Sequence, residues 1–302
     1  MSKKINIAII GLGQIGIYLY NELNLKKKEI LTKTGKSINI VAVSAKNRNK
    51  KRKFKINKKI FYRNPLNIIK DKEINILFEC IGKSDGISKK VVEKAIKSKI
   101  HVITPNKALI SKHGDYLSKL AEKNKVNLEF EASVGGGIPI LRTIKEGLAT
   151  NKISKVYGIL NGTCNYILSE MESTKDTFFN VLKKAQKLGY AEPGNPKLDL
   201  NGYDALAKVK ILSSLSFNKK ISRSNCLMEG IENIESKDFD IAEQLNLRIK
   251  LLGITEIVDN KLFERVHPCL VKKNTYIGNV GGVMNAVILE GKPVGESVLQ
   301  GE

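Results

Sequence analysis

A chain of 302 residues, 42% hydrophobic and 27% charged, is too long for a disulfide miniprotein and too apolar for a disordered tail, and it has room for one large α/β domain or two ordinary ones. Its 52 basic residues against 30 acidic ones give a formal charge of +22, yet only seven of the cations are arginine, they are scattered, and no tryptophan or aromatic cluster accompanies them. The charge therefore reads as a lysine-rich solvated surface and not as a nucleic-acid interface. There is no apolar run of about 18 residues, and Met1-Ser2-Lys3-Lys4 leads into a strand-like segment and not a signal-peptide core, so a cytoplasmic protein without a membrane partner is expected. Cys80, Cys164, Cys226 and Cys269 form no C-x-x-C pair, which predicts reduced thiols and no zinc ribbon.

The first predicted element is a buried parallel strand over Ile5 to Ile10. It runs into Gly11-Leu12-Gly13-Gln14-Ile15-Gly16 and then a helical pattern from Ile17 to Leu25. Strand, G-x-G-x-x-G and helix in that order form the dinucleotide fingerprint: the first glycine turns the chain, the second admits the pyrophosphate, and the third lets helix pack on strand. The helix N-terminus would face the phosphates.

A second strand is predicted over Ser37 to Ser44. An acid at the end of this strand would take the ribose hydroxyls of NAD. Here Ser44-Ala45-Lys46-Asn47-Arg48 follows, which favours NADP over NAD, a basic surface loop being the plain alternative. Further strands are predicted at Ile74 to Cys80, Ile100 to Ile103 and Asn127 to Phe130, with helices at about 87 to 98 and 115 to 123; His113 falls in a polar loop between them. This alternation points to a doubly wound parallel, Rossmann-type sheet. After the break Val134-Gly135-Gly136-Gly137-Ile138-Pro139, the strands Lys155 to Leu160, Lys250 to Ile257 and Phe263 to Leu270 alternate as a half-exposed antiparallel sheet. The predicted division is a dinucleotide-binding domain at 1–133 and an α+β substrate and dimerisation domain at 134–302.

Thr104-Pro105-Asn106-Lys107-Ala108-Leu109, Phe130-Glu131-Ala132-Ser133-Val134-Gly135-Gly136-Gly137-Ile138-Pro139 and Gly158-Ile159-Leu160-Asn161-Gly162-Thr163-Cys164-Asn165 resemble motifs of the homoserine dehydrogenase family. So do Gly189-Tyr190-Ala191-Glu192-Pro193, Gly202-Tyr203-Asp204-Ala205-Leu206-Ala207-Lys208 and Arg265-Val266-His267-Pro268, in the family's order from residue 5 to the end. The resemblance implies an enzyme that interconverts L-homoserine and L-aspartate 4-semialdehyde with NAD(P), in threonine and methionine biosynthesis, as a homodimer. For the cofactor, the glycine fingerprint supplies Gly11, Gly13, Gln14, Ile15 and Gly16 and the basic loop supplies Lys46, and the resemblance adds Lys107, Gly189 and Glu192. Substrate falls to Glu192, Asp204, Lys107 and Asp199, the last in a loop that is one residue longer than the common family form. A monovalent cation, sodium, would be held by Glu131, Val134, Gly136 and Ile138, where a tight glycine turn can aim carbonyls at a hard ion. A glycine hinge without an ion is the alternative.

The chemistry of these residues agrees with that assignment. Asp204 and Lys208 are four apart on a predicted helix and share a face. An anonymous D-x-x-x-K is ordinarily a surface ion pair, but Ala205-Leu206-Ala207 and Val209-Lys210-Ile211-Leu212 around this one read as buried. Hydride transfer needs a proton to move and a cation near the developing alkoxide, which makes Lys208 the candidate acid and base and Lys107, after a parallel strand, its neighbour. The substrate ammonium calls for carboxylates, hence Glu192 and Asp204.

Cys164 invites comparison with thiol nucleophiles, but it has no histidine nearby in sequence and reads as structural, with His267 left open as a partner in space because sequence distance alone does not exclude it; His101 and His113 lack metal-ligand spacing. The family pattern continues into a glycine-rich turn and a helix that returns to the nucleotide domain, and this chain is expected to lack that return segment and its one cofactor contact. Two rival readings stay open: another Rossmann-type dehydrogenase of a small hydroxy or amino acid, and a catalytically impaired binding protein.

Overall fold

The computed structural model describes residues 3–71, 73–194, 196–221 and 226–302. They divide into two compact units, Met1–Ser133 and Val134–Glu302.

The first unit runs β1 Lys3–Ile10, α1 Gln14–Leu25, α2 Lys27–Thr34, β2 Lys36–Ser44, β3 Phe61–Tyr62, α3 Pro65–Asp71, β4 Ile76–Glu79, α4 Ile87–Lys97, β5 His101–Ile103, α5 Lys107–Asn124 and β6 Leu128–Glu129. All strand pairings are parallel, in the order β3-β2-β1-β4-β5-β6. Sequence order reverses between β1 and β4, so the carboxyl ends there form the switch point at which open α/β sheets take ligands. The run Ile7-Ala8-Ile9-Ile10 is at most 2% exposed, as a strand covered on both faces requires. Helix α4 buries Ser88, Val91, Val92, Ala95 and Ile96, a one-sided stripe at helical spacing.

In the second unit, α6 Ile140–Arg142, β7 Lys152–Ile159, α7 Gly162–Thr174, α8 Phe178–Leu188, α9 Lys197–Leu200, α10 Tyr203–Phe217, β8 Leu227–Met228, α11 Ser236–Gln244, β9 Leu247–Val258, β10 Lys261–Lys272, α12 Tyr276–Asn279, β11 Asn285–Lys292 and β12 Gly295–Gly301 follow. The sheet order is β12-β11-β7-β9-β10-β8, antiparallel except for the β8–β10 pair. Gly253 on β9 lets α10 lie close on the sheet: a Cβ there would stand 2.6 Å from Val209 Cγ2 and from Leu160 Cδ1.

Two local expectations are corrected. His113 lies inside α5, because Leu109, Ile110, Gly114, Leu117 and Ala121 form one buried stripe that carries the helix through the polar segment Ser111-Lys112-His113. The first helix starts at Gln14 and not Ile17, since the Ile17 amide already donates to the Gly13 carbonyl (3.0 Å).

Candidate active site

In the second unit, the end of β7 and the starts of α7 and α10 gather a polar cluster. Asn161 caps α7, its Oδ1 accepting the Cys164 amide at 2.9 Å. That bond fixes which way the amide group points, leaving both hydrogens of Nδ2 outward. Nδ2 donates to Asp199 Oδ1 at 2.9 Å and to Asp204 Oδ2 at 3.0 Å. Asp204 enters on the first turn of α10, after Gly202 in the left-handed region (φ +88°). One helical turn on, the Lys208 ammonium lies 2.8 Å from Asp204 Oδ2 and also donates to the Leu160 carbonyl. The side chains of Lys208 and Asp204 are only 15% and 10% exposed, so water screens the pair weakly. The cluster thus places two carboxylates beside one ammonium, a donor and acceptor set that suits a cationic substrate group.

Glu192 and Gly189 occupy the adjoining loop. Gly189 ends α8 in the left-handed conformation (φ +81°), as a helix C-cap demands. Thr163 Oγ1 on α7 donates to the Tyr190 carbonyl at 2.6 Å, and Gln186 Nε2 donates to the Glu192 carbonyl at 3.1 Å. The Glu192 side chain is exposed and, among the described residues, joins none of the cluster's contacts. Asn195, in the lengthened loop, lies outside the described residues.

Cys164 is buried, and its thiol donates to the Asp199 carbonyl at 3.3 Å. Burial, reinforced by Asp199 and Asp204, pushes this thiol far above the usual range, so it carries no thiolate nucleophile. His267 instead sits beside the Pro268 carbonyl (2.9 Å) and Cys269 Sγ (3.4 Å).

In the first unit, the glycine-rich turn has the geometry of a phosphate cradle. Gly11 adopts φ +94°, and a Cβ on it would stand 2.4 Å from the Cys80 carbonyl oxygen. A Cβ on Gly16 would stand 1.8 Å from the Gly11 oxygen, whereas one on Gly13 would meet nothing within 4 Å. Gly13 thus borders open space at the start of α1, a helix with no side-chain cap and no acid in its first turn. Gln14 and Ile15 are exposed there. These features fit a dinucleotide pyrophosphate. Ser44 ends β2, Lys46 is exposed beyond it, and Arg52 ties the basic loop to the turn by donating to the carbonyls of Leu12 (3.3 Å) and Asn47 (2.6 Å).

Lys107 is the first residue of α5, beyond β5 at the carboxyl edge of the sheet. A cation there opposes the helix dipole, a placement that helix stability alone does not favour. Glu131 begins a 3₁₀ turn at the end of the first unit. Val134, Gly136 and Ile138 belong to the second, where Gly135 and Gly136 take consecutive positive φ angles of 70° and 58°. Val134 and Ile138 are buried, and the Ile138 carbonyl accepts the Ile140 amide at 2.8 Å. A compact turn of this kind can direct carbonyl oxygens at a hard cation.

The structure thus brings Asp199, Asp204 and Lys208 together. Sequence reasoning assigned no role to Asn161, which joins them; its place between a strand and a helix, just before Gly-Thr, was the signal of an N-cap.

The segment 139–302 matches the family model described as homoserine dehydrogenase, and 11–131 matches that of its NAD binding domain. Homoserine dehydrogenase of Neisseria gonorrhoeae is 40% identical over 299 residues, covering 99% of this chain and 68% of that protein. The crystal structure of a homoserine dehydrogenase from Thiobacillus denitrificans superposes with a TM-score of 0.92 at 38% identity, over 99% of this chain and 69% of the other. A putative homoserine dehydrogenase from Archaeoglobus fulgidus superposes with a TM-score of 0.86 at 28% identity, over 99% and 93% of the two chains.

Proposed function

The chain belongs to the homoserine dehydrogenase family, and from that premise we propose that it interconverts L-homoserine and L-aspartate 4-semialdehyde in threonine and methionine biosynthesis, with NADP preferred to NAD. The observation that carries the reading is the Asn161-bridged cluster of Asp199, Asp204 and Lys208, which combines anionic sites for an α-ammonium group with one oriented proton donor.

The dinucleotide, when bound, supplies the hydride. Gly11, Gly13, Gln14, Ile15 and Gly16 would hold its pyrophosphate, Lys46 would meet an added 2′-phosphate, and Gly189 and Glu192 would contribute further contacts. Lys208 holds the proton at Nζ that passes to the aldehyde oxygen, and takes it back in the oxidative direction. Asp204 and the Leu160 carbonyl aim that ammonium. Lys107 adds a second cation for the developing alkoxide, while Glu192, Asp199 and Asp204 bind the substrate ammonium. Glu131, Val134, Gly136 and Ile138 would hold sodium as a structural brace, and the working form would be a homodimer. The proposed place of action is the cytoplasm; no helix of the described residues is long and apolar enough to cross a membrane.

The test is oxidation of NADPH and of NADH dependent on aspartate 4-semialdehyde, with sodium or choline as the counter-cation. Turnover that prefers NADPH and rises with sodium is expected. No turnover by a folded, nucleotide-binding chain would overturn the reading.

A further inference from the structure

Glu79 ends β4 with no solvent exposure, and its carboxylate is surrounded by donors. Oε1 accepts the Ile81 amide at 2.9 Å and the Ser88 hydroxyl at 2.5 Å. Oε2 accepts the Thr104 hydroxyl at 2.6 Å and Asn106 Nδ2 at 3.2 Å. A buried carboxylate is costly unless its oxygens are satisfied, and here its removal would leave the donors around it without an acceptor. The four bonds therefore hold the surrounding backbone in one geometry.

The geometry they secure is that of the segment leading to Lys107. Thr104 Oγ1, while donating to Glu79, accepts the Asn106 amide at 3.0 Å. Asn106 caps α5 through Oδ1, which accepts the Leu109 amide at 3.1 Å, and its Nδ2 also reaches the Lys83 carbonyl at 2.9 Å. Lys107 is the next residue, so its backbone position follows from how Thr104 and Asn106 are held. We propose that Glu79 is a positioning residue for the reaction: it fixes the Thr104-Pro105-Asn106 turn, through Thr104 and Asn106, so that Lys107 is presented in its productive place. This rests on the reading that Lys107 contacts substrate and cofactor.

A carboxylate is required, and not merely a polar group. Glutamine at 79 would set its NH2 against the Ile81 N–H in one orientation and against Asn106 Nδ2 in the other. Asn106 cannot turn to relieve this without facing a donor at the Leu109 amide and an acceptor at the Lys83 carbonyl.

The test compares Glu79→Gln, the pair Thr104→Val and Thr104→Ser, and Lys107→Met. For each, kcat, homoserine KM, NADPH affinity and thermal midpoint are measured. Glu79→Gln and Thr104→Val should lower kcat by on the order of 10- to 100-fold, as a misplaced group near the chemistry does. NADPH binding should persist, and Thr104→Ser should retain kcat because it keeps the hydroxyl. A lowered thermal midpoint with unchanged kcat in both variants would reduce Glu79 to a stabilising residue and overturn the proposal while Lys107→Met is inactive. An active Lys107→Met would instead overturn the reading beneath it. If Glu79→Gln does not fold, the Thr104 pair decides: equal kcat for Val and Ser overturns the proposal.

Discussion

Asp204 holds the ammonium of Lys208 at 2.8 Å across one turn of α10, with both side chains largely withdrawn from solvent. An ion pair of this spacing on an open surface contributes little; here it holds the ammonium that is proposed as the proton carrier. Lys208→Ala should therefore lower kcat by roughly two to four powers of ten, the contribution of one general acid and base. Fluorescence titration with NADPH should show affinity little changed. Turnover near the parent's would remove Lys208 from the chemistry.

Asn161 can be separated into its two tasks. Asn161→Ser keeps an N-cap for α7, so the thermal midpoint should move little. It loses the Nδ2 bridge to Asp199 and Asp204, and homoserine KM should rise roughly tenfold, the equivalent of one hydrogen bond to a charged group at about 1.5 kcal/mol. A KM unchanged in steady-state kinetics would show that the bridge does not shape substrate binding.

The glycines of the nucleotide turn divide by what surrounds them. Gly13→Ala meets open space and should fold with near-parent stability while losing dinucleotide affinity. Gly16→Ala drives a methyl group into the Gly11 carbonyl and should cost roughly 3 kcal/mol or more in denaturant unfolding. Equal unfolding midpoints for the two variants would contradict this division.

Lys250 on β9 is 2% exposed, and its ammonium donates to the Val280 carbonyl at 2.7 Å. Burial lowers its pKa to about 8 from the ordinary 10.5, with Glu172 opposing and Arg248 assisting. Between those values the unfolded chain holds a proton that the folded chain has released, so stability should rise with pH through that window, by about 3 kcal/mol. Lys250→Met should abolish that slope and leave Val280 with the Asn165 amide as donor. Parallel stability curves for parent and variant, followed by denaturant melts between pH 8 and 10.5, would refute the assignment.

The order of strands and helices in the first unit, the glycine turn and the pairing of Asp204 with Lys208 were legible because each arises within a few residues: alternation marks a strand, a 3.6-residue period marks a helix, and residues four apart share a helix face. His113 was misplaced for the same reason, since the polar segment Ser111-Lys112-His113 looked like a loop until the apolar stripe of α5 was seen packed beneath it. What the chain alone did not reveal are bonds between distant segments. Asn161 meets Asp199 and Asp204 from 38 and 43 residues away, and Glu79 meets Thr104 from 25. Such partners are chosen when strands from separate stretches are laid edge to edge, and a buried acid or amide then takes whichever donors or acceptors the packing delivers. Residue types in the sequence therefore set which chemistry was available; only the closed tertiary structure decided which oxygen faces which hydrogen.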